Sequence, residues 1–139
     1  MRAIVVGCGR VGSTVALNLA EEGWDVTAVD ESETALGRLG ERWRGGFVRG
    51  HGMDLDVLRE AGIEQADAVV VATDGDNSNI VIAQIAQRLF EVKTVVVRLL
   101  DPARADFYES RGLDVVCPTK TAYETLTERV RAQRARAGR

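Results

Sequence analysis

An α/β fold built on a doubly wound, parallel six-stranded sheet is what this sequence predicts, and three observations carry the prediction. Apolar runs recur at residues 3–7, 25–29, 47–50, 68–73, 94–100 and 113–117, with turn signals between them. Several of these runs, AVVVAT and TVVVRLL among them, are valine-rich without polar alternation, which is how strands covered on both faces read. The intervening stretches have helical length and spacing. Strand and helix alternating through short connections select right-handed crossovers, most simply in the strand order 3-2-1-4-5-6 with a further helix at the C-terminus.

The elements follow in chain order. AIVVG leads into the loop GCGRVG and then a helix over residues 11–22, with Val11, Val15, Leu17 and Leu19 supplying its apolar face and Gly23 its stop. DVTAV is the second strand and ends at Asp30, after which Ser32 caps a helix from about Glu33. FVRG is the third, followed by a short helix after Asp54 that runs through Ala61 and ends at Gly62. AVVVAT precedes NIVIAQIAQRLF at 79–90, so apolar a helix that more than its sheet side is expected to be covered. TVVVRLL runs up to Asp101-Pro102, an N-cap with proline at the first helical position, and Gly112 closes that helix before LDVVC. After Pro118 a final helix sets Ala122, Tyr123, Leu126 and Val130 at helical spacing, to pack on its own sheet or on a partner subunit. The chain therefore divides into an α/β sheet domain at 1–118 and a C-terminal helix with a basic tail at 119–139.

A chain of 139 residues makes one domain, with little room for a second catalytic one. Its 45% apolar and 28% charged residues are those of an ordinary globular protein, and no apolar run reaches the roughly 18 residues a membrane helix needs. No cationic, apolar signal precedes the first strand, so a cytoplasmic location is expected. The net charge of −3 gives no global reason to expect nucleic acid, and the five arginines between Arg129 and Arg139 carry no interleaved aromatic, as in a solvated helix end or linker. Cys8 and Cys117 fall three strands apart, too far for a disulfide, and are expected as reduced thiols. Two thiols and the single His51, scattered in sequence, make a poor metal site.

GxGxxG alone is a weak signal, but here it follows a strand, opens a helix, and is followed by an acid, Asp30, 18 positions after Gly12. Gly7 allows the tight turn, Gly9 lacks the Cβ that would block a pyrophosphate, and Gly12 lets the helix approach the sheet. The first-turn amides then face the phosphates. Asp30 is placed to accept from the two hydroxyls of an adenosine ribose, or else to cap the next helix. Its charge, with Glu31 beside it, disfavours the 2′-phosphate of NADP. Arg10 reaches phosphate oxygens or faces solvent. Arg98 points to the carboxyl edge of the sheet or pairs with an acid such as Asp101. Thr73 and Asp74 follow the fourth strand beside the switch point, where the second half of a dinucleotide or a terminal phosphate would lie. Asn79 donates to that group or caps its helix, and His51 lies near the expected adenine or in solvent.

A reaction centre is harder to find. Hydride transfer needs a proton donor beside the substrate carbonyl, and the short-chain reductases supply it as a tyrosine with a lysine four residues on. Tyr108 is followed at that interval by Gly112 and Tyr123 by Thr127. Lys93 and Lys120 are the only lysines. An NAD-dependent oxidoreductase would have to be completed by a partner chain, whereas a binding domain whose nucleotide alters its shape needs only differential affinity for two conformations.

GCGRVG with Arg10, then Asp30, AVVVATDGDNSNI at 68–80, Arg98 followed by Asp101-Pro102, Gly112, and 114–118 together resemble the N-terminal nucleotide-binding domain of TrkA and KtrA proteins, also called the KTN or RCK domain. The resemblance covers essentially the whole chain. It implies a Rossmann fold that binds NAD(H) or ATP/ADP, forms a homodimer or higher ring, and regulates a membrane potassium channel or transporter from the cytoplasmic face. On this chain it implies that the loop Gly7, Cys8, Gly9, Arg10, Val11 and Gly12 holds phosphates, that Asp30 holds the ribose, and that Thr73, Asp74 and Arg98 complete the pocket. Two departures stand out. The family often has an acid where GHGMD has His51, and many members continue into a second, smaller ligand-binding domain, so the basic tail reads as the start of a linker or the end of a short chain.

Overall fold

The computed structural model describes residues 1–138, so Arg139, the last residue of the predicted tail, lies outside the described residues. Six parallel strands form one sheet: β1 (Arg2–Val6), β2 (Asp25–Asp30), β3 (Gly46–Arg49), β4 (Ala68–Val71), β5 (Thr94–Arg98) and β6 (Asp114–Val116). Their order is β3-β2-β1-β4-β5-β6, as predicted. The helices are α1 (Arg10–Glu21), α2 (Thr34–Leu39), α3 (Leu55–Glu60), α4 (Asp76–Gln84), α5 (Pro102–Ser110) and α6 (Pro118–Ala137).

The burial of β1 explains why its sequence does not alternate. Ile4 and Val6 join one core and Ala3 and Val5 the other, and none is more than 2% exposed. On the first face large side chains such as Leu58, Ile63, Ile82 and Leu99 fill the space under α3, α4 and α5. On the second, Ala16, Ala28, Ala35 and Cys8 are small, α1 lies against β1 and β2, and α2 packs on α1.

The predicted caps are in place. Asp54 accepts from the Asp56 amide at 2.9 Å and Asp101 from the Arg104 amide at 3.3 Å, with Pro102 opening α5. Ser32 is the exception: its Oγ accepts from the Thr34 amide at 3.2 Å, but the N-cap of α2 is Glu33, with no side-chain cap hydrogen bond. Gly23, Gly62 and Gly112 all have positive φ, near 90°, which is why they end their helices.

Two expectations need correction, and one open alternative is decided. α4 begins at Asp76, three residues before the predicted start, because Asp76 faces two amides of a distant loop. The rest of that apolar stretch tightens no further but widens into a π-type turn over Ile85–Leu89. Its outer side is not covered: Ile80, Ile82 and Ala83 are buried against the sheet, whereas Val81 and Leu89 are exposed. Finally, α6 has no buried residue, and Tyr123, Leu126 and Val130 lie in the open. Packing of α6 on its own sheet is therefore not what this chain does.

Candidate functional site

Parallel register sets the site. Val6 pairs with Val29 on one side and Val71 on the other, so Gly7, Asp30 and Ala72 emerge side by side from the carboxyl ends of β1, β2 and β4. This is the point where strand order reverses, the usual ligand crevice of open α/β sheets. A cleft of about 430 Å³ opens here, within the range of small-molecule sites.

The three glycines of the loop have separate tasks. Gly7 has φ +91°, and a Cβ on it would stand 2.6 Å from the Ala72 carbonyl carbon and the Thr73 nitrogen. Gly12 lies beneath it: a Cβ there would come within 1.7 Å of the Gly7 carbonyl oxygen. At Gly9, by contrast, a Cβ would meet nothing within 4 Å, because that side of the loop faces the cleft. No side chain caps the N-terminus of α1 and no acid stands in its first turn, so its amides remain open to an anion.

Asp30 stands directly against this loop at the edge of the cleft. Its Oδ2 accepts from the Cys8 amide at 2.8 Å and its Oδ1 from the Ser32 amide at 2.9 Å. Two backbone donors thus fix the carboxylate's orientation, and each oxygen keeps a second acceptor position for a ligand hydroxyl. Asp30 does not cap α2: its Ser32 contact lies before the helix, whose N-cap is Glu33 with no side-chain cap hydrogen bond. Glu31 turns away onto His51, whose Nε2 lies 3.3 Å from Glu31 Oε1 while its Nδ1 accepts from the Met53 amide at 3.1 Å. The accepting Nδ1 leaves the ring proton on Nε2.

The opposite wall is the loop after β4. Thr73 and Asp74 line it, and the buried Asn79 holds it in shape: Asn79 Oδ1 accepts from the Thr73 amide at 3.1 Å and from the Thr73 hydroxyl. Its Nδ2 donates to the carbonyls of Thr73 and Arg98, at 3.0 and 2.8 Å. Asn79 is thus neither a cap nor open to a ligand. Arg98 lies beneath the same loop, donating from Nη2 to the carbonyls of Ala72 and Thr73 at 3.1 and 2.8 Å. Its nearest acid is Asp74, at 3.5 Å, rather than Asp101.

Of the predicted site residues, Gly7, Gly9, Asp30, Glu31, His51, Thr73 and Asp74 line the cleft. Cys8, Arg10, Val11, Gly12 and Arg98 do not. Gly12 and Arg98 shape it from below, whereas Arg10 and Val11 are exposed on the first turn of α1. Ser32, Thr34 and Arg38 are lining residues that sequence reasoning missed. Thr34 and Arg38 come from α2 and Ser32 from the turn before it, a stretch that carries no motif. Gly50 and Gly52 line the β3 side, where a Cβ would meet Val57 or Val6 at 2.5 Å. A second Gly-x-Gly just after a strand was the available signal.

Cys8 contributes its backbone alone. The side chain is fully buried among the small residues of the second core, and its Sγ lies 3.8 Å from the Val5 carbonyl. Burial, and next the charge of Asp30, push its thiol up to about 12. Since the thiolate is the reactive form, Cys8 is expected to stay unlabelled by a thiol-specific disulfide reagent at pH 8 in the folded protein and to react fully in urea, read by mass spectrometry of the Cys8 peptide. Rapid labelling without denaturant would contradict this packing.

Comparison with known proteins fits this geometry. The family model described as "TrkA-N domain" matches residues 3–119. The chain is 40% identical over 130 residues to the Trk system potassium uptake protein TrkA of Streptomyces coelicolor, a match covering 94% of this chain and 58% of that protein. Among solved structures, the Shewanella denitrificans Kef CTD in AMP-bound form superposes with a TM-score of 0.78 at 23% identity, covering 97% of this chain and 88% of that one. The GsuK channel bound to NAD superposes with a TM-score of 0.79 at 22% identity, over 96% of this chain and 24% of that one. At such identities the two structures speak for the fold.

Proposed function

The chain belongs to the TrkA-N domain family, and we propose that it serves as the nucleotide-sensing part of a potassium transport regulator, binding NAD(H) or ATP/ADP in the cleft between β1, β2 and β4. One observation carries the reading. The Asp30 carboxylate stands at the cleft rim, oriented by the Cys8 and Ser32 amides, beside a helix mouth that no side chain caps. A carboxylate for ribose hydroxyls beside amides for phosphates is the pair of features an adenine nucleotide requires.

The chain spans 58% of its Streptomyces relative, so the transported ion and the membrane partner are inferred through that relative's name. Among the described residues no helix is long and apolar enough to cross a membrane. In this reading the domain acts from the cytoplasmic side, attached to a potassium channel or transporter subunit. The bare α6, with Tyr123, Leu126 and Val130 exposed, supports a second copy of the chain packing there as a homodimer or part of a higher ring. Among the described residues neither tyrosine nor lysine lines the cleft.

Titration calorimetry with NADH, NAD, ADP and ATP tests the reading. At least one is expected to bind with a dissociation constant below about 1 mM, and Asp30→Ala is expected to weaken it roughly ten- to hundredfold, the worth of hydrogen bonds to a charged group. Unchanged affinity in the Asp30→Ala protein would put the ribose elsewhere. Absence of all binding would remove the sensor's input.

A further inference from the structure

We infer that Arg38 is a specificity-determining residue at the ribose edge of the cleft, setting how strongly the pocket distinguishes a free 2′-hydroxyl from a 2′-phosphate on adenosine. The inference rests on the nucleotide reading above and refines it. Among the described residues three carboxylates, those of Asp30, Glu31 and Asp74, line the cleft, and Arg38 is the one arginine or lysine lining it with them. An anionic ligand therefore meets a wall with one guanidinium, and where that guanidinium stands decides which part of the ligand is compensated.

Arg38 and Asp30 flank a single loop residue. Cys8 gives its amide proton to Asp30 Oδ2 at 2.8 Å, and its carbonyl oxygen lies 3.4 Å from Arg38 Nη1. The base thus stands next to the acid that reads the ribose, on the rim that Ser32 and Thr34 also line. Arg38 is otherwise little engaged. A separation of 3.4 Å is long for an N–H···O bond, and among the described residues no carboxylate lies within 4.0 Å of its guanidinium. The other arginines near the site are committed: Arg98 to the carbonyls of the β4 loop, and Arg49 to Glu33 and the Glu31 carbonyl.

The balance at this edge follows from these contacts. Asp30 repels a 2′-phosphate, as its position in the sequence implies. Glu31 also lines the cleft, with His51 Nε2 3.3 Å from its Oε1. Arg38 supplies the opposite sign within reach of the same ribose edge, with several free N–H donors in the fork geometry that suits a phosphate. Discrimination against the 2′-phosphate is then a difference between an acid and a base, and removing the base leaves the acid unopposed.

The test is calorimetric titration of the wild type and Arg38→Gln with 5′-AMP and with adenosine 2′,5′-bisphosphate. The substitution is expected to weaken the bisphosphate about tenfold more than it weakens 5′-AMP, the worth of one charge-assisted contact. Arg38→Lys, which keeps the charge and loses the fork, is expected to fall between. Arg38 is exposed on a short helix, so melting temperatures of both variants should match the wild type and exclude a folding effect. An unchanged ratio of the two affinities in Arg38→Gln, with 5′-AMP still bound, overturns the assignment of Arg38 and leaves the nucleotide reading intact. A wild type that binds 5′-AMP but no detectable bisphosphate overturns it too, because Arg38 would then offset nothing. Failure of the wild type to bind either compound also overturns this inference, whereas the nucleotide reading itself stands or falls on the titration with NADH, NAD, ADP and ATP.

Discussion

The Gly12→Ala protein is expected to melt roughly 10 °C below the wild type, at about 3 kcal/mol of destabilisation for a domain of this size. The added Cβ would stand 1.7 Å from the Gly7 carbonyl oxygen and 2.8 Å from its carbonyl carbon. Both are backbone atoms, so no flexible side chain can yield. α1 must instead lift off the sheet, opening the core that Ala16 shares with Val5 and Ala28. Nucleotide binding should disappear in the same variant, because the loop moves with the helix. Gly9→Ala is the paired control. Its Cβ meets nothing within 4 Å, so the melting temperature should stay within about 2 °C of wild type while binding falls. Calorimetric melting and titration of the two variants separate a glycine the fold needs from one the ligand needs. Equal melting of Gly12→Ala and wild type would show that the helix does not rest on the loop as described.

Asn79→Ala is expected to lower stability by about 3 kcal/mol, with most of the loss arising from polar groups left buried without partners. Asn79 is 1% exposed, and one side chain serves the Thr73 amide, the Thr73 hydroxyl and the carbonyls of Thr73 and Arg98. Removing it frees the β4 loop that forms one wall of the cleft, so nucleotide affinity should fall alongside stability. Asn79→Asp tests the reason. It keeps the volume and the acceptor, but an ionised carboxylate cannot donate to the two carbonyls. Urea unfolding should find it nearly as unstable as the alanine variant. If aspartate is tolerated, side-chain volume rather than hydrogen bonding is what matters at this position.

These two residues show how unevenly the site could be read beforehand. Gly12 is legible because GxGxxG between a strand and a helix has one geometric solution, with the third glycine under the first. Asn79 is not. An asparagine near a helix start reads as a cap or a ligand donor, and its burial depends on β5 bringing the Arg98 carbonyl to within 2.8 Å of it. Arg98 follows the same pattern: its place at the carboxyl edge was evident, but its engagement with the Ala72 and Thr73 carbonyls arises from the pairing of β4 with β5. Arg38 carried no signal at all, since α2 has no motif and the residue reaches the cleft by folding back across 30 positions to Cys8.

What this sequence determined by itself was the set of elements, their order in the sheet, and the glycine loop with Asp30, together with the resemblance to the TrkA-N family that their joint spacing carries. Those features rest on short-range physics: side-chain period, caps, positive φ at glycine, and the narrow choice of crossovers. Only the tertiary structure decided which of the charged residues meet at the cleft, that the buried Asn79 braces its wall, and that α6 stands bare. The reason is that strand register and helix packing bring together groups 20 to 30 positions apart, and nothing local to any of them records the partner it will find.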